Sequence, residues 1–330
     1  MVVRHSLYGL CLASNSAIPG LPSRCDHLDP QVNIFLNELG GPVAKTDSAP
    51  PKFSYTSSEL HVNGLPVLRA GELGDSYFGL FYADGSRFAV KRDGSEVWAN
   101  GPAEFATEDL ATYLVGPVMG FVLRLHGILP LHACAVAVGN QAIALVGDPG
   151  AGKSTTAAAF AQLGYAVLSE DVAALAEVSG HFVAQPGYPR VNLWPESAEL
   201  LFGSVDTLPL ITPTWGKQFL SLDGDKHRFQ SDPLPLSAIF ILSERLSAAV
   251  APKIEAVSAA SAMTALLTNT YVNYLLDAAM RRKEFVQLGH LLANTRVFRV
   301  WPSDDPSRVY ELCNAIVAEV QGGAACVLRP

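Results

Sequence analysis

The sequence predicts an α/β protein in which a smaller β-rich region precedes a larger domain. Three observations predict this: a first region rich in turn signals, apolar strands alternating with helices after Pro130, and a glycine-rich turn between one such strand and the next helix. The 330 residues exceed the ~100–200 typical of one domain. We therefore predict two domains, 1–104 and 105–330.

Residues 1–104 contain short strand-like segments separated by turn signals, which is typical of hairpins. Asn-Gly and Asp-Gly pairs suit hairpin loops because these residues tolerate positive φ. The predicted strands are Leu60–Val62, Tyr77–Tyr82 and Arg87–Val90, and the predicted turns are Asn63-Gly64, Asp84-Gly85 and Asp93-Gly94. The segment Asp47–Pro51 is predicted to be a loop.

The second region begins with a helical pattern over Glu104–His126 and then alternates strands with helices. The predicted strands are Leu131–Val138, Ala142–Val146, Ala166–Leu168, Val172–Ala176, Ser237–Leu242 and Val297–Val300. The predicted helices are Lys153–Leu163, Ala259–Ala278, Arg281–Ala293 and Pro306–Val320. Parallel or mixed sheets of this class bind ligands at the carboxyl ends of their strands.

Composition excludes several classes of protein. Hydrophobic residues make up 49% and charged residues 16%, which predicts a folded chain. The net charge of −8 argues against a broad nucleic-acid or anionic-lipid surface. No apolar run is long enough to span a bilayer, and the N-terminal residues do not read as a signal peptide. The five cysteines have no zinc-site or CxxC spacing, so we expect reduced thiols and a cytoplasmic location.

The residues 147–154 match the phosphate-binding pattern GxxxxGK[ST] between a strand and a helix. The loop is Gly147, Asp148, Pro149, Gly150, Ala151, Gly152, Lys153 and Ser154, followed by Thr155. Its glycines allow successive amides to surround phosphate oxygens, and the helix N-terminus adds positive potential. Lys153 is expected to reach the β- and γ-phosphates and the Ser154 hydroxyl to bind Mg²⁺. The motif therefore predicts a binding site for a nucleoside triphosphate, but it does not distinguish an ATPase, a GTPase or a kinase.

Two adjacent carboxylates, Glu170 and Asp171, end the short strand that follows this helix. Side chains of adjacent strand residues point to opposite faces, so both reach the phosphates only if the strand has ended in a turn. One of the two is then available to the metal and the other to the reacting hydroxyl. His132 lies on the strand before the loop strand, as a third candidate or as an ordinary core histidine.

The stretch LPLHACAVAVGNQAIALVGDPGAGKSTTAAAFAQLGYAVLSEDVAAL resembles the C-terminal kinase domain of the HPr kinase/phosphorylase family. The resemblance covers about residues 105–320 and is strongest over 129–176. The segments YGLCLASNSAIPGLP and PGYPRVNLWPES are similar to a branch of this family that accompanies lasso-peptide gene clusters. That branch phosphorylates a serine at the C-terminus of the precursor peptide.

The resemblance implies a P-loop kinase that uses ATP and Mg²⁺, with a possible homo-oligomer. It makes Lys153 the phosphate-binding lysine and places Ser154 and Asp171 beside Mg²⁺. Glu170 occupies the family's catalytic-base position, which is normally Asp, and His132 tunes the acidic pair or orients a phosphate. The family's later phosphorylase segment is not found here, so the reverse reaction is not expected.

Basic residues of the second half are weaker substrate candidates. Arg190 lies in GYPRVNLW, and Lys217, Lys226 and Arg228 lie in WGKQFLSLDGDKHRF. A hairpin at Asp223-Gly224 would place Lys226 and Arg228 on one side of a strand, where they would contact phosphate or an acidic peptide. A solvated hairpin explains them equally well, and Arg281–Lys283 reads as an exposed helix face.

The leading hypothesis is an ATP-dependent serine kinase acting on a peptide or small protein, most simply a lasso-peptide precursor. Region 1–104 is expected to recognise the acceptor by pairing an extended peptide with a sheet edge. One alternative is an HPr(Ser) kinase/phosphorylase that regulates sugar transport. Another is a nucleotide-binding regulator without phosphotransfer, which the replacement of Asp by Glu170 would favour.

Overall fold

The computed structural model describes residues 2–23, 29–45, 51–205 and 207–324. Cys25, Cys326 and most of the predicted Asp47–Pro51 loop lie outside these residues. The chain divides into two compact units. The first comprises Met1–Ile128, Thr212–Thr214 and Val272–Met280, and the second comprises Leu129–Ile211, Trp215–Tyr271 and Arg281–Pro330.

The first unit is built on one eight-stranded sheet in the order β1-β2-β3-β8-β7-β6-β5-β4. Its strands are β1 (Val3–Leu7), β2 (Leu10–Ser14), β3 (Val32–Leu36), β4 (Lys52–Thr56), β5 (Leu68–Leu73), β6 (Tyr77–Tyr82), β7 (Arg87–Lys91) and β8 (Glu96–Asn100). Strand β3 is parallel to both of its neighbours, whereas the other pairs are antiparallel. Short 3₁₀ turns cover Pro42–Lys45 and Asn273–Leu275.

Alternation of buried and outward residues explains these strands. In β3, Val32, Ile34 and Leu36 are buried, as a period of two requires. The predicted strands over 77–82 and 87–90 are confirmed as β6 and β7. The strand predicted at Leu60–Val62 is wrong: Leu60 makes only an isolated bridge to Pro66, and Val62 is 98% exposed, so it has no face to bury.

The helical segment belongs to the first unit, so the division lies between Ile128 and Leu129 rather than near residue 105. It consists of α1 (Thr107–Tyr113), a π-helical turn at Leu114–Val118 that contains Pro117, and α2 (Met119–Leu125). The Tyr8 hydroxyl donates to the Val115 carbonyl, and the Phe78 and Phe121 rings meet edge to face at 5.0 Å. These contacts bury the helical segment against the β-rich region, and the local pattern did not show them.

Ten strands and five helices lie in the described residues of the second unit. The strands are β9 (Leu129–Val138), β10 (Gln141–Val146), β11 (Val167–Ser169), β12 (Val172–Val178), β13 (His181–Gln185), β14 (Arg190–Leu193), β15 (Gln218–Ser221), β16 (Leu234–Leu242), β17 (Lys253–Ala256) and β18 (Arg296–Trp301). The helices are α3 (Lys153–Gln162), α4 (Pro195–Phe202), α5 (Ala259–Thr268), α6 (Ala278–Asn294) and α7 (Val309–Ala324), with a 3₁₀ turn at Pro306–Arg308.

A mixed sheet in the order β10-β9-β12-β13-β16-β18-β17 forms the centre of this unit. Strand β10 also pairs with β16, in parallel, and β16 is parallel to β18. Strand β11 pairs with β9, while β14 and β15 form a separate two-stranded sheet. Strand β10 is therefore paired on both sides, and its carboxyl end is held in place.

Residues of β10 alternate between two hydrophobic cores, which explains why helices cover both faces. Ile143 and Leu145 pack with α3 and α7, whereas Ala142, Ala144 and Val146 pack with α5 and α6. The predicted α/β class is confirmed. The helix predicted over Ala259–Ala278 is shorter in the structure, where α5 ends at Thr268. Val272 then adopts a φ of +53°, which a right-handed helix does not allow.

Cysteine chemistry differs from expectation at one position. Cys134 and Cys313 are free and buried, as predicted. The prediction of reduced thiols is wrong for Cys11, which is disulfide-bonded. Disulfides are uncommon in reducing compartments, so the thiols no longer support a cytoplasmic location. Among the described residues, none of the helices combines the length and the apolar character needed to cross a membrane.

Candidate functional site

The loop between β10 and α3 has the geometry of an anion cradle. Strand β10 ends at Val146 and α3 begins at Lys153. Gly150 and Gly152 adopt φ values of +83° and +97°, which lets the chain turn so that Gly152 caps the helix. Helix α3 packs closely because its middle is alanine: Ala157, Ala158 and Ala159 are fully buried. The first amides of α3 therefore face the loop, where they can bind phosphate oxygens.

Lys153 is buried within this loop. Its Nζ donates to the Gly147 carbonyl at 2.6 Å and to the Asp148 carbonyl at 3.2 Å. Burial lowers the pKa of Lys153, and the nearby carboxylates Glu170 and Asp171 oppose this shift. Two loop carbonyls thus fix the position of its ammonium group.

Gly147→Ala is expected to destabilise the protein by about 1–3 kcal/mol, because a Cβ at this position would overpack the loop. That Cβ would lie 2.9 Å from the Leu242 carbonyl oxygen and 3.1 Å from the Ala151 Cβ. Gly180→Ala is the matched control: Gly180 has a φ of +80° but open space, so only ~1–2 kcal/mol of left-handed strain applies. Urea unfolding of both variants measures the loss of stability, and a nucleotide titration measures the affinity of the loop. Unchanged nucleotide affinity in Gly147→Ala would contradict the role of this loop as a phosphate cradle.

Glu170 is buried directly beyond β11 and receives two hydrogen bonds. The Ser154 hydroxyl donates to its Oε1 at 2.8 Å, and the Asn192 amide donates to its Oε2 at 3.0 Å. Burial raises the pKa of Glu170 to about 7, while Lys217 and these hydrogen bonds act in the opposite direction. One carboxylate of the predicted pair therefore touches the phosphate-loop serine.

Asp171 follows Glu170 in a tight turn at the end of β11. Its φ is +70°, and the Val172 amide donates to the Glu170 carbonyl at 2.8 Å, closing a three-residue turn. In a continuous strand the two carboxylates would lie on opposite faces. The Asp171 Oδ1 lies 3.5 Å from the His132 Nε2. Burial lowers the pKa of His132 and Asp171 opposes this effect, so the histidine is a neutral partner near pH 7.

A cavity of about 390 Å³ joins the loop and the acidic pair. The predicted residues that line it are His132, Pro149, Gly150, Gly152, Lys153, Ser154, Thr155, Glu170 and Asp171. Gly147, Asp148 and Ala151 belong to the loop and lie outside this lining. The structure therefore brings together most of the residues that the motif indicated.

Most of the opposite wall was missed by sequence reasoning. It comprises Asn192, Leu193, Trp194, Glu196, Ser197 and Lys217, of which only Lys217 was a candidate, and Cys134 also lines the cavity. The Ser197 and Thr155 hydroxyls are 2.8 Å apart, which links the first turns of α3 and α4. The available signal was the polar Asn192 between the buried Val191 and Leu193, since alternation along β14 places Asn192 on the opposite face from these two. Without knowledge of where β14 lies, that face had no assigned partner.

Of the weak basic candidates, Arg190, Lys226 and Arg228 lie outside the cavity lining, whereas Lys217 belongs to it. The Arg190 guanidinium lies 4.0 Å from the centre of the Phe219 ring. Lys226 is exposed, and Arg228 donates to the Gly164 carbonyl, which fastens the turn after α3. The predicted hairpin at Asp223-Gly224 is wrong: β15 ends at Ser221 and no strand follows before Leu234. Asp223 and Gly224 therefore lie in a loop and do not join two paired strands.

Three oxygen-bearing side chains, Ser154, Glu170 and Asp171, are available to a divalent metal in this cavity. Among the described residues, no group of three or more His, Cys, Asp or Glu side chains is arranged to hold a metal ion. This donor set suits Mg²⁺, which binds one or two carboxylates together with substrate phosphates and water. It does not suit a metal held by protein ligands alone.

Comparisons with known proteins give a distant likeness to a solved structure. No family model matches the sequence, and no curated protein matches it. Among solved structures, the chain is similar to the HPr(Ser) kinase/phosphatase from Coxiella burnetii, with a TM-score of 0.32 and 11% identity. The match covers 60% of this chain and 97% of that chain. A likeness this distant carries no functional argument.

Proposed function

We propose that this protein is an ATP-dependent serine kinase that transfers the γ-phosphoryl group of Mg-ATP to a peptide or small protein. The observation that carries the proposal is the hydrogen bond from Ser154 in the phosphate loop to Glu170, with Asp171 beside it on the same cavity. A phosphate cradle and a pair of carboxylates at its mouth are the parts that phosphoryl transfer to a hydroxyl requires.

The contacts favour a division of roles opposite to the one implied by the family resemblance. Glu170 shares the Ser154 hydroxyl, so both belong on the metal side. Asp171 faces His132 and has no hydrogen bond to the loop among the described residues, so it is the better base. Bound Mg²⁺ would neutralise charge on the β- and γ-phosphate oxygens. His132 orients the Asp171 carboxylate toward the hydroxyl.

The transfer itself balances without another reactant. Asp171 accepts the serine proton as the serine oxygen forms a bond to the γ-phosphorus. The bond from that phosphorus to the β–γ bridging oxygen breaks, and ADP leaves with the bonding electrons. Lys153 and the loop amides bind the phosphate oxygens throughout. The products are phosphoserine and ADP.

The acceptor is proposed to be an extended peptide, with the lasso-peptide precursor as first candidate. The first unit ends in two edge strands, β1 and β4, and every residue of β4 is exposed or half-buried. An open edge supplies backbone donors and acceptors to which an extended peptide can add as a strand. Such pairing recognises main chain, so it suits an unfolded precursor better than a compact carrier protein.

Mass spectrometry of acceptors incubated with protein and Mg-ATP tests the proposal. We expect a gain of one or more phosphates on a serine of a lasso precursor, and no product with Lys153→Met. Product on a sugar-transport phosphocarrier alone would favour the alternative kinase. Nucleotide binding by calorimetry without product on either acceptor would favour a nucleotide-dependent regulator. GTP in parallel reactions establishes the donor.

A further inference from the structure

Lys217 is placed on the cavity wall by the register of the two-stranded sheet. Leu193 of β14 pairs with Gln218 of β15, so the next residues outward, Trp194 and Lys217, are neighbours across the sheet. The Lys217 Nζ lies 5.6 Å from the centre of the Trp194 ring. Trp194 is 57% exposed, so this ring lies at the rim, and Lys217 lines the cavity beside it.

The Lys217 ammonium group has unused donor capacity. Among the described residues, no carboxylate lies within ion-pair distance of its Nζ, and no hydrogen bond joins it to the protein. Lys153, by contrast, donates to two loop carbonyls. A half-buried ammonium with three donors and only a ring beside it is suited to an anionic ligand.

The positive charge of Lys217 acts on residues of the acidic pair and on the histidine beside it. Lys217 is the strongest charged influence on Glu170 and also acts on His132, the partner of Asp171. Lys153 approaches from the loop side, so the two lysines belong to different walls of the same cavity. An anion between loop and carboxylates would therefore be met by a cation on each wall.

Resting on the proposed function, we propose that Lys217 is a further catalytic residue that donates hydrogen bonds to the equatorial oxygens of the transferring phosphoryl group. It takes no part in proton transfer, since Asp171 takes the serine proton. Negative charge spreads over these oxygens as the bond to ADP breaks, so a donor placed there stabilises the transition state. The role is independent of whether serine or water attacks.

Lys217→Met tests this role because it keeps an apolar side chain of similar length beside Trp194 and removes the charge. We expect kcat for serine phosphorylation and for acceptor-free ATP hydrolysis to fall together by about 10²-fold. Nucleotide affinity by calorimetry should change only a few-fold, and Lys217→Arg should recover part of the rate. Lys253→Met is the matched control, since Lys253 lies 4.9 Å over the Trp301 ring on edge strand β17.

Unchanged hydrolysis with a raised acceptor KM would overturn the proposal and make Lys217 an acceptor-binding residue. Unchanged rates in both reactions would overturn it too. A wild-type protein that neither phosphorylates nor hydrolyses would instead show that the proposed function is wrong, and the inference about Lys217 with it. Thermal unfolding of each variant separates loss of fold from loss of rate.

Discussion

Asp171→Asn is expected to lower kcat for serine phosphorylation by about 10²–10⁴-fold, the usual contribution of a general base. The amide cannot accept the serine proton, although it retains the size of the carboxyl group. Asparagine is also the replacement best able to keep the backbone, because it tolerates the φ of +70° that Asp171 adopts. Steady-state kinetics at saturating Mg-ATP measures the change.

The control for this variant is Asp223→Asn, which removes a charge from an exposed position outside the cavity. We expect normal kinetics there, and nucleotide affinity within a few-fold of wild type in Asp171→Asn. A large loss of magnesium affinity with little loss of kcat would contradict the assignment of Asp171 as base. It would restore the division of roles in which Asp171 holds the metal.

The local part of the site could be predicted because its signals are local. A buried strand, a glycine-rich turn and an alanine-rich helix follow one another in the chain, and the boundaries Val146 and Lys153 match the structure. The turn at Asp171 was expected only as a condition, since sequence cannot show a positive φ at a non-glycine residue. Two carboxylates at a strand end were nevertheless sufficient to identify the acidic wall.

The opposite wall and the division into units could not be predicted because they depend on long-range packing. Asn192 of β14 donates a hydrogen bond to Glu170, 22 residues earlier in the chain, and Lys217 is placed by the pairing of β14 with β15. The helical segment near residue 105 carries no local mark of the sheet against which it packs. From sequence, Lys226 and Arg228 were candidates of the same kind as Lys217. In the structure no strand lies between Ser221 and Leu234, so these two residues are in a loop outside the cavity lining.

Glu170→Gln is expected to abolish a pH-dependent loss of stability. The folded pKa of about 7 lies above the ordinary value of 4.5, so the folded state binds more protons than the unfolded state between these values. The stability contributed by protonated Glu170 is complete below about pH 4.5 and is lost as pH rises through about 7. At 1.36 kcal/mol per pKa unit, the loss reaches roughly 3 kcal/mol.

Glutamine cannot ionise, so the free energy of unfolding of Glu170→Gln should lack this decline and exceed that of wild type near pH 8. Its amide accepts from Ser154 through the oxygen, and rotation of the Asn192 amide lets the nitrogen donate in turn. Urea unfolding from about pH 5 to 8, without magnesium or nucleotide, measures the effect. Glu104→Gln, at an exposed position, is the control.

The same variant should need a higher magnesium concentration for half-maximal phosphorylation, because a neutral amide is a poorer partner for Mg²⁺ than a carboxylate. Stability and activity then change in opposite directions, as expected where a buried charge is kept for function at the expense of folding. Equal pH slopes in Glu170→Gln and wild type would show that this carboxyl is already ionised in the fold. An unchanged magnesium requirement would assign metal binding to Asp171 and not to Glu170.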